Sequence, residues 1–327
     1  MKTTPVISSV VSPDFLATLV QEHYPFSPNV QCSILRTGIN HAYFICEGDQ
    51  KRVLRLYSHQ WRSREDIVAE LELLLQMHEA GISVSYPIAD SQGEFIHEVE
   101  APEGMRYMVL FSYAPGRKLR KLTPKHCHTM GLLMGKMHKL MEGRSINRIS
   151  YDFDTLMELP YQHALRFFDK KNDEMIFARK AIELSKQQLG PLAGQLRQGV
   201  VHLDLWYDNL NVTSSGHVTL FDFDFCGNGW LALDLAYTVM QLYHTEPDKE
   251  IFEKKRTAFY KGYESIETIP ALEKELLSHL GIAVWVFYLG VQSRRFNDWS
   301  NIFLGDHYLQ HYIGLLKGWL KFSGTVV

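Results

Sequence analysis

Val200-Val201-His202-Leu203-Asp204-Leu205-Trp206-Tyr207-Asp208-Asn209-Leu210, followed after a short gap by Val218-Thr219-Leu220-Phe221-Asp222-Phe223-Asp224, is the stretch from which the rest of the chain is read. Each half is an apolar, strand-like run that ends in carboxylates, the pattern expected where a buried scaffold hands polar groups to a site. Asp204 and Asn209 share one loop with His202 ahead of them. Asp222 and Asp224 alternate, which predicts that a strand directs both to the same side. The β segment over 199–225 is flanked by helical patterns on both sides.

Working outward, residues 33–45 read as a hairpin bending at Gly38-Ile39-Asn40, and 52–57 alternates as a further strand. At 63–80 the period becomes helical, with Ile67, Leu71, Leu74, Leu75 and His78 on one face, Ser63 as N-cap and Gly81 as the stop. Strand-like runs follow at 94–97 and 107–113, before Pro115-Gly116 breaks the chain. Beyond it Thr123-Pro124 opens a helix carrying Met130, Leu133, Met134 and Met137, and further helices are predicted at 161–171, 175–196, 248–263, 270–296 and 308–322. The expected class is therefore α+β and bilobal: a β-rich N-lobe with one main helix over 1–113, and a larger, mainly helical C-lobe over 114–327.

Phosphoryl transfer from a nucleotide asks for little covalent chemistry. It needs a carboxylate near the acceptor hydroxyl, hard oxygen ligands for Mg²⁺, and a cation on the phosphates. The quoted stretch supplies the first two. Its HxDxxxxN loop and following DxD resemble the aminoglycoside phosphotransferase, choline kinase and type II homoserine kinase superfamily, which has the protein-kinase-like fold. The resemblance extends over most of the chain. Gly38-Ile39-Asn40-His41-Ala42-Tyr43 is similar to the family's phosphate-covering turn, and Val53-Leu54-Arg55-Leu56 to the strand bearing its phosphate-binding cation. Glu70 matches the helical glutamate that pairs with that cation, and 107–116 resembles the hinge.

The resemblance implies ATP and Mg²⁺ as cofactors, Asp204 as base or orienter of the acceptor hydroxyl, and His202 as a brace of the catalytic loop. It also implies metal ligation by Asn209 and Asp222 with Asp224 as an auxiliary ligand, and adenine contacts from the backbone of Ser112 and Ala114. Gly38, Asn40, Val53, Arg55 and Glu70 would complete the nucleotide site, and Asp234 would be the structural aspartate downstream. Leu203 and Trp206-Tyr207-Asp208 stand where the family commonly has glycine and His-Pro-Gly. Arg55 keeps the charge of the usual lysine in a fork that grips two oxygens. Lys51 and Arg52 are rivals for that cation, Glu72 is a rival to Glu70, and Asn40 serves equally as a turn former.

The acceptor implied is a small molecule with a hydroxyl group, an amino alcohol or hydroxy amino acid. Its pocket is expected among Tyr161, Trp230, Trp285, Tyr288, Arg294, Arg295, Asp298 and Trp299, whose aromatic faces suit an amine through cation–π contact. Other readings are a protein Ser/Thr kinase of the bacterial stress type and an ATP-binding scaffold without catalysis. At 327 residues the chain can bury two cores, and the 46% of hydrophobic residues spread along it argues against disorder. Net charge is −3 with basic residues scattered, so no nucleic-acid partner is expected. The four cysteines, Cys32, Cys46, Cys127 and Cys226, form no CxxC pair, and the fifteen histidines show no metal-ligand spacing. Neither a secretory signal nor a membrane-spanning run is expected, and the apolar run at 282–291 reads as a core helix. Cytoplasmic residence follows as an expectation; oligomeric state stays open.

Overall fold

The computed structural model describes residues 4–295 and 303–327. It divides into two compact units, Met1–Pro115 and Gly116–Val327. The first is built on an antiparallel five-stranded sheet in the order β1-β2-β3-β5-β4, from β1 (Gln31–Arg36), β2 (His41–Glu47), β3 (Gln50–Leu56), β4 (His97–Ala101) and β5 (Gly104–Ser112). Alternation along β3 decides what lies where. Leu54 and Leu56 join Tyr43, Ile45, Met108 and Leu110 in a core that also takes Leu16 and Val20. Val53 and Arg55 belong to the opposite face.

Leu16 and Val20 come from a helix that the sequence reading missed, α1 (Pro13–His23). Its signals were present: proline at the first turn, Asp14 beside it, and Leu16 and Val20 one turn apart. The fourth strand lies slightly later than the predicted 94–97. Helix α2 (Arg64–Glu79) opens with a reciprocal capping box between Ser63 and Asp66, and Gly81 ends it with φ +72°. Its buried face comprises Ile67, Glu70, Leu71, Leu74 and Met77, whereas His78 is exposed and stacks on Tyr86.

The second unit is largely helical: α3 (Pro124–Met141), α4 (Leu159–Ala164), α5 (Asp173–Leu189), α6 (Ala232–Thr245), α7 (Lys249–Glu264), α8 (Ala271–Arg294) and α9 (Asp306–Phe322). Two small antiparallel sheets sit within it. One pairs β6 (Gln198–Val201) with β9 (Gly227–Trp230), the other β7 (Leu210–Val212) with β8 (Val218–Leu220). The helix predicted at 161–171 starts earlier, through a π-helical turn at Asp154–Glu158, and ends at Ala164 because Asp169 and Asn172 favour a turn. That predicted at 175–196 ends at Leu189 and tightens to a 3₁₀ turn containing Pro191. Helix α6, which the sequence reading did not place, is buried throughout from Ala232 to Met240.

With 24 residues, α8 is long and apolar enough to cross a membrane by length and composition, contrary to the sequence expectation. In this fold 78% of its most apolar window is buried inside the protein, as in a core helix. Phe296, the predicted end of that helix, lies outside the described residues.

Helices α3 and α7 approach closely through glycines. A Cβ on Gly262 would stand 1.9 Å from the His128 carbonyl oxygen, and one on Gly131 would stand 2.0 Å from that of Phe259. Gly262→Ala must therefore push two backbones apart. It is expected to destabilise the protein by about 1–3 kcal/mol, read as a lowered thermal midpoint; an unchanged midpoint would show that the helices can separate freely.

Candidate active site

The catalytic loop is built from a buried carboxylate outward. Asp234, in the first turn of α6, has no solvent exposure. Its Oδ2 accepts from the His202 N–H at 2.8 Å and its Oδ1 from the Leu203 N–H at 2.6 Å, while His138 Nε2 lies 3.0 Å from Oδ2. The support continues inward: His138 Nδ1 is 2.9 Å from the Tyr263 hydroxyl, which accepts from Arg197, and Arg197 is held by two bonds to the buried Glu273. This grip holds Leu203 at φ +63°, a left-handed conformation that a branched side chain disfavours by about 1–2 kcal/mol.

Asp204 emerges from that bend. One carboxylate oxygen accepts from the Tyr237 hydroxyl at 2.5 Å and the other from Asn209 Nδ2 at 2.7 Å. The same amide nitrogen also bonds the Asp204 carbonyl at 2.9 Å, which fixes the amide with its oxygen turned away from the carboxylate. Burial pushes the Asp204 carboxyl up to about 7, the Tyr237 bond opposes this, and nearby Asp222 adds to the rise. Burial and the Asp204 charge push the Tyr237 phenol well above its ordinary value, so it acts as a donor. Tyr288 stacks on Tyr237 with centroids 5.3 Å apart and donates to the Leu203 carbonyl at 3.2 Å. Sequence reasoning missed Tyr237, which lies in the apolar run of α6.

His202 is wholly buried, and both of its ring nitrogens bond main-chain groups. Its Nδ1 accepts from the Asp204 N–H at 3.2 Å, which puts the ring proton on Nε2 to donate to the Phe221 carbonyl at 3.3 Å. Burial lowers its pKa and favours this neutral form.

The expected strand carrying Asp222 and Asp224 ends earlier, at Leu220. Asp222 has φ +66°, so the pleat stops before it and strand alternation no longer relates the two aspartates. Asp222 is half-buried, whereas Asp224 is only 3% exposed, and the buried Arg148 donates to its main-chain oxygen at 2.5 Å.

In the first unit, Arg55 Nη1 donates to Glu70 Oε1 at 2.9 Å, and the Tyr57 hydroxyl donates to the other oxygen at 3.2 Å. Glu70 is 1% exposed; its rival Glu72 is exposed. The rival cations are engaged elsewhere, Arg52 with Gln50 and the Phe26 ring, and Lys51 over the Phe44 and Tyr113 rings. Val53 lies opposite Phe111 in the β3–β5 ladder. Asn40 braces its own turn, accepting from the Ser58 N–H at 3.2 Å. Gly38 has room for a Cβ, its nearest neighbour at 3.7 Å, so local sterics do not require glycine there.

Ser112, expected at the hinge, ends β5. Its N–H donates to the Tyr86 carbonyl at 2.8 Å and its carbonyl accepts from the Ser85 hydroxyl at 2.6 Å, so its main chain is engaged within the protein. Ala114 is buried. Among the acceptor-pocket candidates Tyr288 stands beside Asp204. Tyr161, Trp230 and Trp285 are buried, with Tyr161 and Trp285 donating to main-chain carbonyls. Arg294 is exposed and Arg295 half-buried, while Asp298 and Trp299 lie outside the described residues.

Comparison with known proteins bears on this site. Residues 33–268 match the model of the phosphotransferase enzyme family. A homoserine kinase of Methylobacillus glycogenes is 24% identical over 260 residues, covering 77% of each chain. Among solved structures, a microcompartment-associated aminopropanol kinase aligns with TM-score 0.79 at 20% identity, covering 96% of this chain and 99% of its own. An amicoumacin kinase, solved with AMP-PNP, Ca²⁺ and amicoumacin, aligns with TM-score 0.72 at 19% identity, over 96% and 93% of the two chains.

The raised Asp204 pKa carries a stability consequence. The unfolded carboxyl ionises near 3.8 and the folded one near 7. Between these values the unfolded chain releases a proton that the native state retains, so native stability falls as pH rises through the window. Asp204→Asn removes that penalty. In chelator, its thermal midpoint is expected to exceed that of the native protein by several degrees at pH 8, with the gain shrinking toward pH 4; a gain independent of pH would refute the assignment.

The sheet-based first unit, the helical second unit and the family match together establish that the chain belongs to the phosphotransferase enzyme family, as a small-molecule phosphotransferase with the protein-kinase-like fold.

Proposed function

We propose that the protein transfers the γ-phosphate of ATP, as its magnesium complex, to the hydroxyl of a small amino alcohol or hydroxy amino acid. The observation that carries this reading is Asp204, held by Tyr237 and Asn209 beside the Tyr237–Tyr288 stack. A carboxylate so fixed can orient an acceptor hydroxyl and take its proton. The half-buried Tyr288 ring beside it is an aromatic surface suited to an ammonium group. The similarity to a homoserine kinase, and the fold shared with an aminopropanol kinase, support an acceptor that carries both amine and hydroxyl.

The metal ligands proposed are Asn209 and Asp222. Asn209 commits its amide nitrogen to Asp204, which leaves its oxygen as the atom suited to a hard cation, and Asp222 lies near enough to influence the pKa of both Asp204 and His202. Magnesium bound there supplies neutralisation of the phosphate oxygens. Arg55, held in place by Glu70, supplies a phosphate-binding cation, with Gly38, Asn40 and Val53 completing the nucleotide-binding surface of the first unit. Ala114 remains the proposed hinge contact. Four free thiols fit a reducing compartment such as the cytoplasm.

A panel of hydroxyl-bearing amines and amino acids, incubated with ATP and Mg²⁺ and scored by ADP release, tests the proposal. Turnover on at least one member is expected; labelling of acceptor proteins with none on the panel would replace the reading with a protein kinase. Asp204→Ala should lower kcat by about 10²-fold or more while nucleotide affinity changes little. Asp222→Ala should instead raise the Mg²⁺ requirement and weaken metal-nucleotide binding. Arg55→Ala should cost about 1.5–3 kcal/mol of ATP affinity by removing a charge-assisted contact. Unchanged ATP affinity, measured by calorimetry, would remove Arg55 from the phosphate site.

A further inference from the structure

Far from Asp204 in sequence, the first unit gathers three metal-ligating side chains. His23 ends α1, Asp90 stands in the turn after residues 82–89, and His97 begins β4. One candidate ligand atom from each lies within 4.8 Å of the others. The Asp90 and His97 side chains are only 5% and 7% exposed.

Asp90 Oδ1 is already satisfied, accepting from the Gln92 and Glu94 N–H groups, each at 2.8 Å. Its Oδ2 instead faces His97 Nε2 across 3.7 Å, too far for a hydrogen bond. His97 Nε2 is buried and has no hydrogen-bond partner. A buried polar atom left in this state costs free energy unless something fills the gap. The His23 ring stacks on His97 with centroids 3.9 Å apart, and Ser91 holds the end of α1 by donating to the His23 carbonyl.

We infer that His23, Asp90 and His97 bind a divalent transition metal of the zinc class, water completing the coordination. Two imidazole nitrogens and one carboxylate oxygen are a borderline-soft donor set, which Zn²⁺ accepts and which the oxygen-seeking Mg²⁺ and Ca²⁺ do not favour. Ligand atoms about 2.0–2.2 Å from a tetrahedral ion stand roughly 3.3–3.5 Å apart, so the Asp90–His97 pair at 3.7 Å needs only a small contraction, while the stacked His23 ring, whose ligand atom lies within 4.8 Å of the other two, must turn to aim a nitrogen at the same ion. The ion would tie the C-terminal end of α1 to the turn at Asp90 and to the sheet, a structural role independent of phosphotransfer.

The full-length protein, stripped with chelator and held in excess Mg²⁺, should take up one equivalent of Zn²⁺ in competition with a chromogenic chelator, and its thermal midpoint should rise. Co²⁺ should give the intense visible bands of tetrahedral coordination. His23→Gln, at a half-buried helix end where folding should survive, and His97→Gln should each lower Zn²⁺ affinity by about 100-fold or more and abolish the midpoint shift. Circular dichroism in chelator establishes that the variants fold. The inference fails if the native protein takes up no Zn²⁺, if the variants bind it equally, or if Co²⁺ shows only weak octahedral bands, a result that native protein alone supplies should a variant misfold.

Discussion

The carboxylate of Asp234 is the constraint from which the second unit's chemistry follows. A charge with no solvent exposure is costly unless both oxygens are hydrogen-bonded, and here two main-chain N–H groups and an imidazole meet them. Because both N–H groups belong to one bend, the compensation is also the force that holds Leu203 left-handed. Helix α6 thus fixes the loop at residues 202 and 203, and Asp204 inherits its place from them. The His138–Tyr263–Arg197–Glu273 chain behind Asp234 explains why the buried charge stays put: each member is itself bonded onward, ending in a buried ion pair.

The first unit repeats the principle with different groups. Glu70, on the buried face of α2, spends its two oxygens on Arg55 and Tyr57, both from the end of β3 and the residue after it. The Arg55 guanidinium also lies over the Phe111 ring at 5.3 Å. Its orientation is thereby set by packing and charge together, and the entropy of a long side chain is lost before any nucleotide arrives.

How much of this was legible in the sequence varies with the reach of the signal. The Asp204 and Asn209 loop, the Ser63 N-cap of α2 and the Arg55–Glu70 pairing rest on short spacings or on a resemblance spanning the chain. Asp222 and Asp224 were misread because a period-two argument assumes that the strand continues, and a left-handed residue ended it. Tyr237 was missed for another reason: within the run Ala232–Met240, buried throughout, a tyrosine reads as one more apolar residue. His23, Asp90 and His97 show the limit most plainly, since histidine spacing in the sequence cannot report side chains brought together by a helix, a turn and a strand.

Two non-glycine residues with positive φ, Leu203 just before Asp204 and Asp222 itself, set the two candidate carboxylates, and one side chain connects the bends. His202 takes the Asp204 N–H on one ring nitrogen and gives a proton to the Phe221 carbonyl with the other. The residues it touches are those next to the two strained positions. An imidazole suits this task because its donor and acceptor sit on opposite sides of a rigid ring, in a neutral form that burial favours. Asparagine offers a donor and an acceptor on the same side of a shorter stem, and a carboxylate would bring a charge without a donor. The strain in the two bends and the buried histidine between them are therefore one device, which sets the bases of the Asp204 and Asp222 side chains from inside the protein.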